Sequence, residues 1–407
     1  MKKYHLSLLL IGFAFASSAL AQPVGDTRNM PRSLFCPARL SDEVAVIDTS
    51  TNQVVTQIPV GSYPIRIEMT LDRRKAFISN AHSENISVLD TVARTNIATI
   101  PVSKKPGEST ITPDGRRLFV VHGEPEEEES ASEPAASADA FQSDKWWRAS
   151  SPASDWAEPV TDVICPVSVI DTATNLLITT AFIPGHSAKD ILFTLDGRFA
   201  YIANPSLGEV DVMDTTTYQV TSIPTGSGSR RLCISPAGDR VYVTNWLDDS
   251  VSAIDTATQQ VIATIPVGLN ARPMGIAITP NGEEVYATNQ YAGTVSVINT
   301  TTLTVVATIS TGAHCQRVEI TRDGATAFVQ NGWSDTVSAI DTATHTVSAT
   351  LPTGHHPWTI LATPDDRTLY VCNGTDTTVT VIDIPSLTVS DTIADVGSHP
   401  FDLAFSR

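Results

Sequence analysis

The chain repeats itself, and no other feature of it constrains the fold as tightly. A short run of alternating apolar residues that ends in Asp-Thr or a close variant occurs as "VAVIDT" (44–49), "ISVLDT" (86–91), "VSVIDT" (167–172), "VDVMDT", "VSAIDT", "VSVINT", "VSAIDT" and "VTVIDI". Its acidic or amide residue falls at Asp48, Asp90, Asp171, Asp214, Asp255, Asn299, Asp341 and Asp383. Successive gaps are 42, 81, 43, 41, 44, 42 and 42 residues, a period of about 42 with one insertion of about 39. Within each unit an apolar strand such as "GIAITP" (275–280), a Gly-containing turn, "VYATN" (285–289), the "VSVINT" strand and "TVVATI" (304–309) follow in order. Period-two alternation, β-branched enrichment and Asp-Gly or Asn-Gly turns predict antiparallel strands throughout, and helix signals are almost absent.

Four antiparallel strands in about 42 residues is the size of one propeller blade. The segments "VYVTN" (241–245), "VYATN" (285–289) and "LYVCN" (369–373), each followed by a "VSVID"-like and a "TIPVG"-like strand, resemble the YVTN-repeat β-propeller proteins across residues 33 to 407. The expectation is an all-β, eight-bladed β-propeller of four-stranded antiparallel blades, with seven blades as the alternative if one copy is degenerate. The chain ends on "FDLAFSR", which matches only a first blade strand, and opens its repeats on "SLFCPA" (33–38), which matches a second. The C-terminal strand is therefore predicted to pair with the N-terminal strands in one blade, a closure that removes exposed edges.

Outside the repeats, residues 1–21 read as a secretory signal peptide, with Lys2 and Lys3 ahead of an apolar run from Leu6 to Phe15 and a small-residue exit before Gln22. Residues 22–32 form a short extension. No later apolar run is long enough to span a bilayer, so a periplasmic or secreted protein without membrane insertion is expected. Without Lys2 and Lys3 the net charge moves from −18 to −20, which argues against nucleic acid as a partner. The five cysteines, Cys36, Cys165, Cys233, Cys315 and Cys372, have no CxxC pair and permit one or two disulfides. The insertion, 123–164, begins acidic and rich in Ala, Ser and Pro and later carries Trp146, Trp147 and Trp156. Two readings are open for it: a solvated excursion, or a lid whose tryptophans dock on the propeller.

In a propeller blade the loop entering the inner strand and the loop joining strands two and three share one face, so that face is where a site is sought. Aligned entry loops give one column of Tyr63, Lys105, Ser187, Gly228, Arg272, His314, His356 and His399, and a second, at the strand starts, of Arg66, Glu108, Asp190, Arg231, Gly275, Arg317, Thr359 and Asp402. Three imidazoles in consecutive blades, His314, His356 and His399, would suit zinc or copper, with Cys315 adjoining. Haem is a narrower version, since eight-bladed propellers of nitrite reductase type resemble this layout, but there is no CxxCH motif. Arg66, Glu108, Asp190, Arg231, Arg317 and Asp402 would line the channel with balanced charge, either paired structurally or capturing a ligand, with Glu68 and Glu319 extending the set. Such carboxylates could also serve a lactonase-like hydrolase. Trp358, with Trp246, Tyr291 and Trp333, is placed on the same face as part of a recognition surface. The repeated Asp of "VIDT" and Asn of "YVTN" are read as turn-holding residues. No GxSxG, HExxH, P-loop or Rossmann fingerprint is present. The reading that follows is a monomeric binding module for a protein or small-molecule ligand, with a metal- or haem-linked protein and a lactonase-like hydrolase as alternatives.

Overall fold

The computed structural model describes residues 33–123 and 164–406. The signal peptide, the N-terminal extension and nearly all of the insertion, with Trp146, Trp147 and Trp156, lie outside the described residues. Eight four-stranded antiparallel sheets form the fold, and there is no helix among the described residues. We number the blades in chain order. Blade 1 holds Ser33–Ala38, Glu43–Asp48 and Gln53–Pro59; its innermost strand is Ala404–Phe405 from the other end of the chain, as the sequence predicts. Blades 2 to 8 then follow consecutively, with inner strands Pro64–Met69, Pro106–Ile111, Asp190–Phe193, Ser229–Ile234, Pro273–Ile278, Cys315–Ile320 and Pro357–Ala362. The eight-bladed expectation holds, and the seven-bladed alternative falls.

Strand position within a blade follows from residue type. Third strands such as Thr294–Asn299 carry four consecutive buried residues, because both of their faces meet neighbouring blades. Outer strands such as Thr304–Ser310 alternate between exposed and half-buried and bury only the closing Ile309. Between blades lie apolar clusters; Phe77, Phe119 and Phe328 are at most 1% exposed, each contributing about 1.5–3 kcal/mol by leaving water. Lys75, Arg117 and Arg240, all at the start of a second strand, donate to backbone carbonyls at Thr172, Thr215 and Thr300 in the next blade. They latch one blade to the next.

Both repeated polar residues act as turn holders. Asp48, Asp90, Asp214 and Asp341 accept backbone N–H bonds two or three residues downstream at 2.7–2.9 Å. Asn80, Asn245, Asn289, Asn331 and Asn373 are completely buried and donate from Nδ2 to side chains five and seven residues on. Blade 3 has His122 at this position. Its Nδ1 faces the Lys104 carbonyl and must carry the proton, so Nε2 accepts from Ser168 Oγ, each at 2.9 Å. Burial holds its pKa down at about 4, so the imidazole stays neutral and fills the asparagine's role.

Candidate functional site at the channel mouth

The entry-loop column has a common backbone conformation. Tyr63, Lys105, Gly228, Arg272, His314, His356 and His399 all have φ between 51° and 74°, the left-handed region. Only Ser187 departs. The cause is a repeated hydrogen bond: each of these carbonyls accepts the N–H of the residue that follows the second strand, at Ala81, Gly123, Trp246, Gln290, Gly332, Gly374 and Arg39. Where the left-handed residue is not glycine, an aspartate from the preceding blade holds its own N–H in several cases: Asp42 for Tyr63, Asp249 for Arg272 and Asp335 for His356, at 2.8–2.9 Å. Asp42 and Asp335 stand 21 residues before their partners. That half-period spacing is a signal present in the sequence which the column alignment passes over.

These side chains build an arc of stacked rings over blades 5 to 8, 1 and 2. Trp246 meets Tyr291 edge-on at 5.8 Å; His314 lies flat on Trp333 at 4.3 Å and 5.9 Å from His356. His356 stacks on Trp358 at 5.6 Å, and Trp358 packs on Phe401 at 5.0 Å. The Arg39 guanidinium sits 3.6 Å from the Phe401 centroid and 4.9 Å from Tyr63, which stacks on His82 at 4.1 Å. Such contacts fix ring orientation and contribute about 0.5–1.5 kcal/mol each beyond burial. Gly332 leaves room for them, since a Cβ there would come within 3.3 Å of His314 Nδ1 and 3.5 Å of His356 Nε2. Trp358 is only 6% exposed and serves as the floor of the arc, whereas Trp333 at 46% and Tyr291 at 44% face solvent. Trp358, expected on an exposed surface, is thus buried, and the rings of this face that meet solvent are Trp333 and Tyr291.

The metal expectation does not survive this geometry. Among the described residues no three His, Cys, Asp or Glu side chains are placed to hold a metal ion, so His314, His356 and His399 do not converge on one. Glutamine amides occupy both nitrogens of His314: Gln290 at 2.7 Å from Nε2 and Gln316 at 3.0 Å from Nδ1. Trp246 Nε1 donates to Gln290 Oε1 at 2.9 Å. Gln290 therefore donates to Nε2, while Gln316 sets its amide nitrogen beside Nδ1 and accepts from Gln330 Nε2 at its own oxygen. Cys315 points into the blade core and donates to the Asn289 carbonyl. His355 is an exposed rim residue paired with Asp335 at 2.8 Å, and this carboxylate raises its pKa.

Beneath the mouth the second column stands on or beside the inner strands, where charges from different blades meet. In blade 2, Arg66 and Glu68 face them while Ile65 and Ile67 face the core, the period-two placement expected of a strand. Arg66 grips Glu108 with two hydrogen bonds of 2.5 Å, and Arg231, two blades further round, reaches the same carboxylate. The three side chains keep 10%, 16% and 13% of their exposure, so this is a narrow, nearly desolvated cluster. Burial opposes the charge on Glu108, but Arg66 and Arg231 outweigh it and hold its pKa well below the usual carboxyl range.

The other carboxylates are stitches between blades. Asp402 accepts the Ile67 N–H at 3.2 Å, Glu68 that of Ile111 at 3.4 Å, and Asp190 that of Leu232 at 2.8 Å; Glu319 takes the Ala362 N–H. Each therefore binds the inner strand of the following blade. Burial raises all four, Asp190 to about 6 and Glu68 and Glu319 to about 8, so the last two are mostly protonated at neutral pH. Thr359 donates to the Phe401 carbonyl at 2.7 Å, and Gly275 admits blade 7, since a Cβ there would meet the Gln316 carbonyl at 2.2 Å. Arg317 stands apart. Among the described residues nothing accepts a hydrogen bond from its Nη2, and burial with Arg66 and Arg231 nearby lowers its pKa to about 10.

Comparisons with known proteins fit this architecture. Residues 209–350 match the lactonase family of seven-bladed β-propellers, and residues 321–407 match the YNCE-like β-propellers. A seven-bladed β-propeller protein of Mycobacterium tuberculosis is 34% identical over 103 residues, which are 24% of this chain and 26% of that protein. The chain thus matches about a quarter of that relative's length. Among solved structures, dihydro-heme d1 dehydrogenase NirN in complex with DHE superposes with a TM-score of 0.71 at 13% identity, covering 96% of this chain and 80% of that one. Kuenenia stuttgartiensis hydrazine synthase gives 0.55 at 19% identity, covering 77% and 97%. At these identities the structural likeness speaks for the fold alone.

Proposed function

We propose that this protein is an exported, monomeric binding module that takes a small anionic ligand with a flat apolar face at the channel mouth. The observation that carries this reading is Arg317, a channel cation left without a hydrogen-bond acceptor at Nη2 while Arg66 and Arg231 share Glu108. An incoming carboxylate would satisfy it with a charge-assisted bond. Above it, Trp333 and Tyr291 offer exposed rings on a floor of His314, His356 and Trp358. A channel whose own carboxylates are already tied to backbone N–H groups has little else to offer an anion, and no turnover is required of it. Titration with aromatic carboxylates, followed by tryptophan fluorescence and calorimetry, tests the reading. Binding that weakens at least tenfold in Arg317→Met supports it; equal binding by parent and variant, or none across the panel, sinks it.

A second reading is a lactonase-like hydrolase, favoured by the family match over 209–350 and by the two protonated carboxyls, Glu68 and Glu319, in one channel. A lactone screen decides it: activity abolished by Glu319→Gln upholds hydrolysis, and an inactive parent protein ends it.

A further inference from the structure

The seam of the propeller is closed by its shortest strand, and two cysteines face each other across that seam. Ala404–Phe405 pairs with Phe35 and Leu34 alone, whereas the other inner strands have four to six residues. Backbone bonds from Arg39, Leu40, Phe401 and Ser406 extend the contact irregularly. Cys36 belongs to the second strand of blade 1 and Cys372 to the second strand of blade 8. Both are buried in one apolar cluster with Leu34, Tyr370 and Val396, and their Sγ atoms are 3.6 Å apart. Cys165, Cys233 and Cys315 lie in other clusters, in blades 3, 5 and 7.

We propose that Cys36 and Cys372 form a disulfide that covalently joins the first and last blades. The two thiols give up two protons and two electrons to a disulfide oxidant such as oxidised glutathione, which leaves as two glutathione thiols. The new bond is about 2.0 Å long, so the sulfurs approach each other by roughly 1.5 Å, a shift within reach of two side chains already in contact. Burial raises the Cys372 thiol well above its ordinary range and shields it, so a folded ring reacts slowly. Exchange runs while the seam is open, during folding, and the closed ring then retains the bond. The cysteines are 336 residues apart, so the link restrains nearly the whole propeller in its unfolded state.

The experiment is refolding from denaturant in reduced and oxidised glutathione, compared with refolding in a strong reductant. The expected product is lighter by two hydrogens, yields a peptide linking Cys36 to Cys372, and melts on the order of 5 °C or more above the reduced form. That gain disappears in Cys36→Ala and in Cys372→Ala. Should either single variant fail to fold, the triple variant C165A/C233A/C315A keeps only the seam pair, and its cross-linked peptide decides the matter. Alkylation of both Cys36 and Cys372 after oxidative refolding, a different pairing, or equal melting of the two forms overturns the proposal.

Discussion

The two faces of this propeller use one backbone plan with opposite freedom in side chains. On the face away from the insertion, six of the eight blades repeat one hydrogen bond, and blade 5 uses Ser235 and Asp239 instead. Thr70, Thr112, Thr194, Thr279, Thr321 and Thr363 all donate to the Asp or Asn two residues on at 2.5–2.7 Å, and the "VIDT" aspartates cap the neighbouring turns. At the channel mouth the backbone is as regular, left-handed in seven of the eight entry loops, yet the side chain there is Tyr, Lys, Gly, Arg or His. A left-handed residue other than Gly or Asn is disfavoured by about 1–2 kcal/mol. Bulky rings in that conformation, held by aspartates from the preceding blade, are therefore where strain is tolerated for a stacked surface.

The comparison breaks first at Glu108. Glu108→Ala leaves the Arg66 and Arg231 guanidiniums facing each other in a nearly dry channel, and a loss of about 3 kcal/mol is expected in denaturant melts. A loss below that of a turn variant on the other face would show the cluster to be solvent-screened. Next comes pH. Glu68 and Glu319 hold their protons up to about 8 in the folded state, whereas the unfolded chain releases them near the ordinary value of 4.5. Their contribution to stability is therefore full below 4.5 and is lost as pH rises through 8. Glu68→Gln and Glu319→Gln should raise the thermal midpoint over the parent increasingly between pH 5 and 8, with the difference gone below about pH 4. A constant difference across that range would contradict the buried carboxyls. The smallest effects separate the faces most cleanly. His356→Gly relieves the left-handed strain but gives up the ring contacts with Trp358 and His314, so the two offset and stability changes by no more than about 1 kcal/mol while binding of an aromatic carboxylate weakens. Asp341→Ala does the reverse, lowering the thermal midpoint slightly through a lost turn bond with binding unchanged. Identical behaviour of the two variants would erase the distinction.

Much of this was legible in the chain. Alternation and the recurring Asp-Thr fix the strands, and the mismatch between "FDLAFSR" and "SLFCPA" fixes the closure. The columns also put Arg66, Glu108, Asp190, Arg231 and Arg317 on the inner strands of their blades, where the structure has them. The histidine column misled for a physical reason. Alignment places His314, His356 and His399 at equal positions but gives no ring orientation, and the imidazole of His314 is turned by Trp333, Gln290 and Gln316. Arg39 and Phe401 were invisible as site residues because each comes from opposite ends of the chain and meets the other only at the seam.

The sequence by itself determined the blade, the number of copies and the face on which the entry loops lie, because these follow from local periodicity and turn chemistry. Only the tertiary structure decided which channel charges pair, that four carboxylates serve as stitches between blades, and that Cys36 meets Cys372. Those outcomes depend on distances between residues in different blades, which a repeat of about 42 residues leaves open until the ring closes.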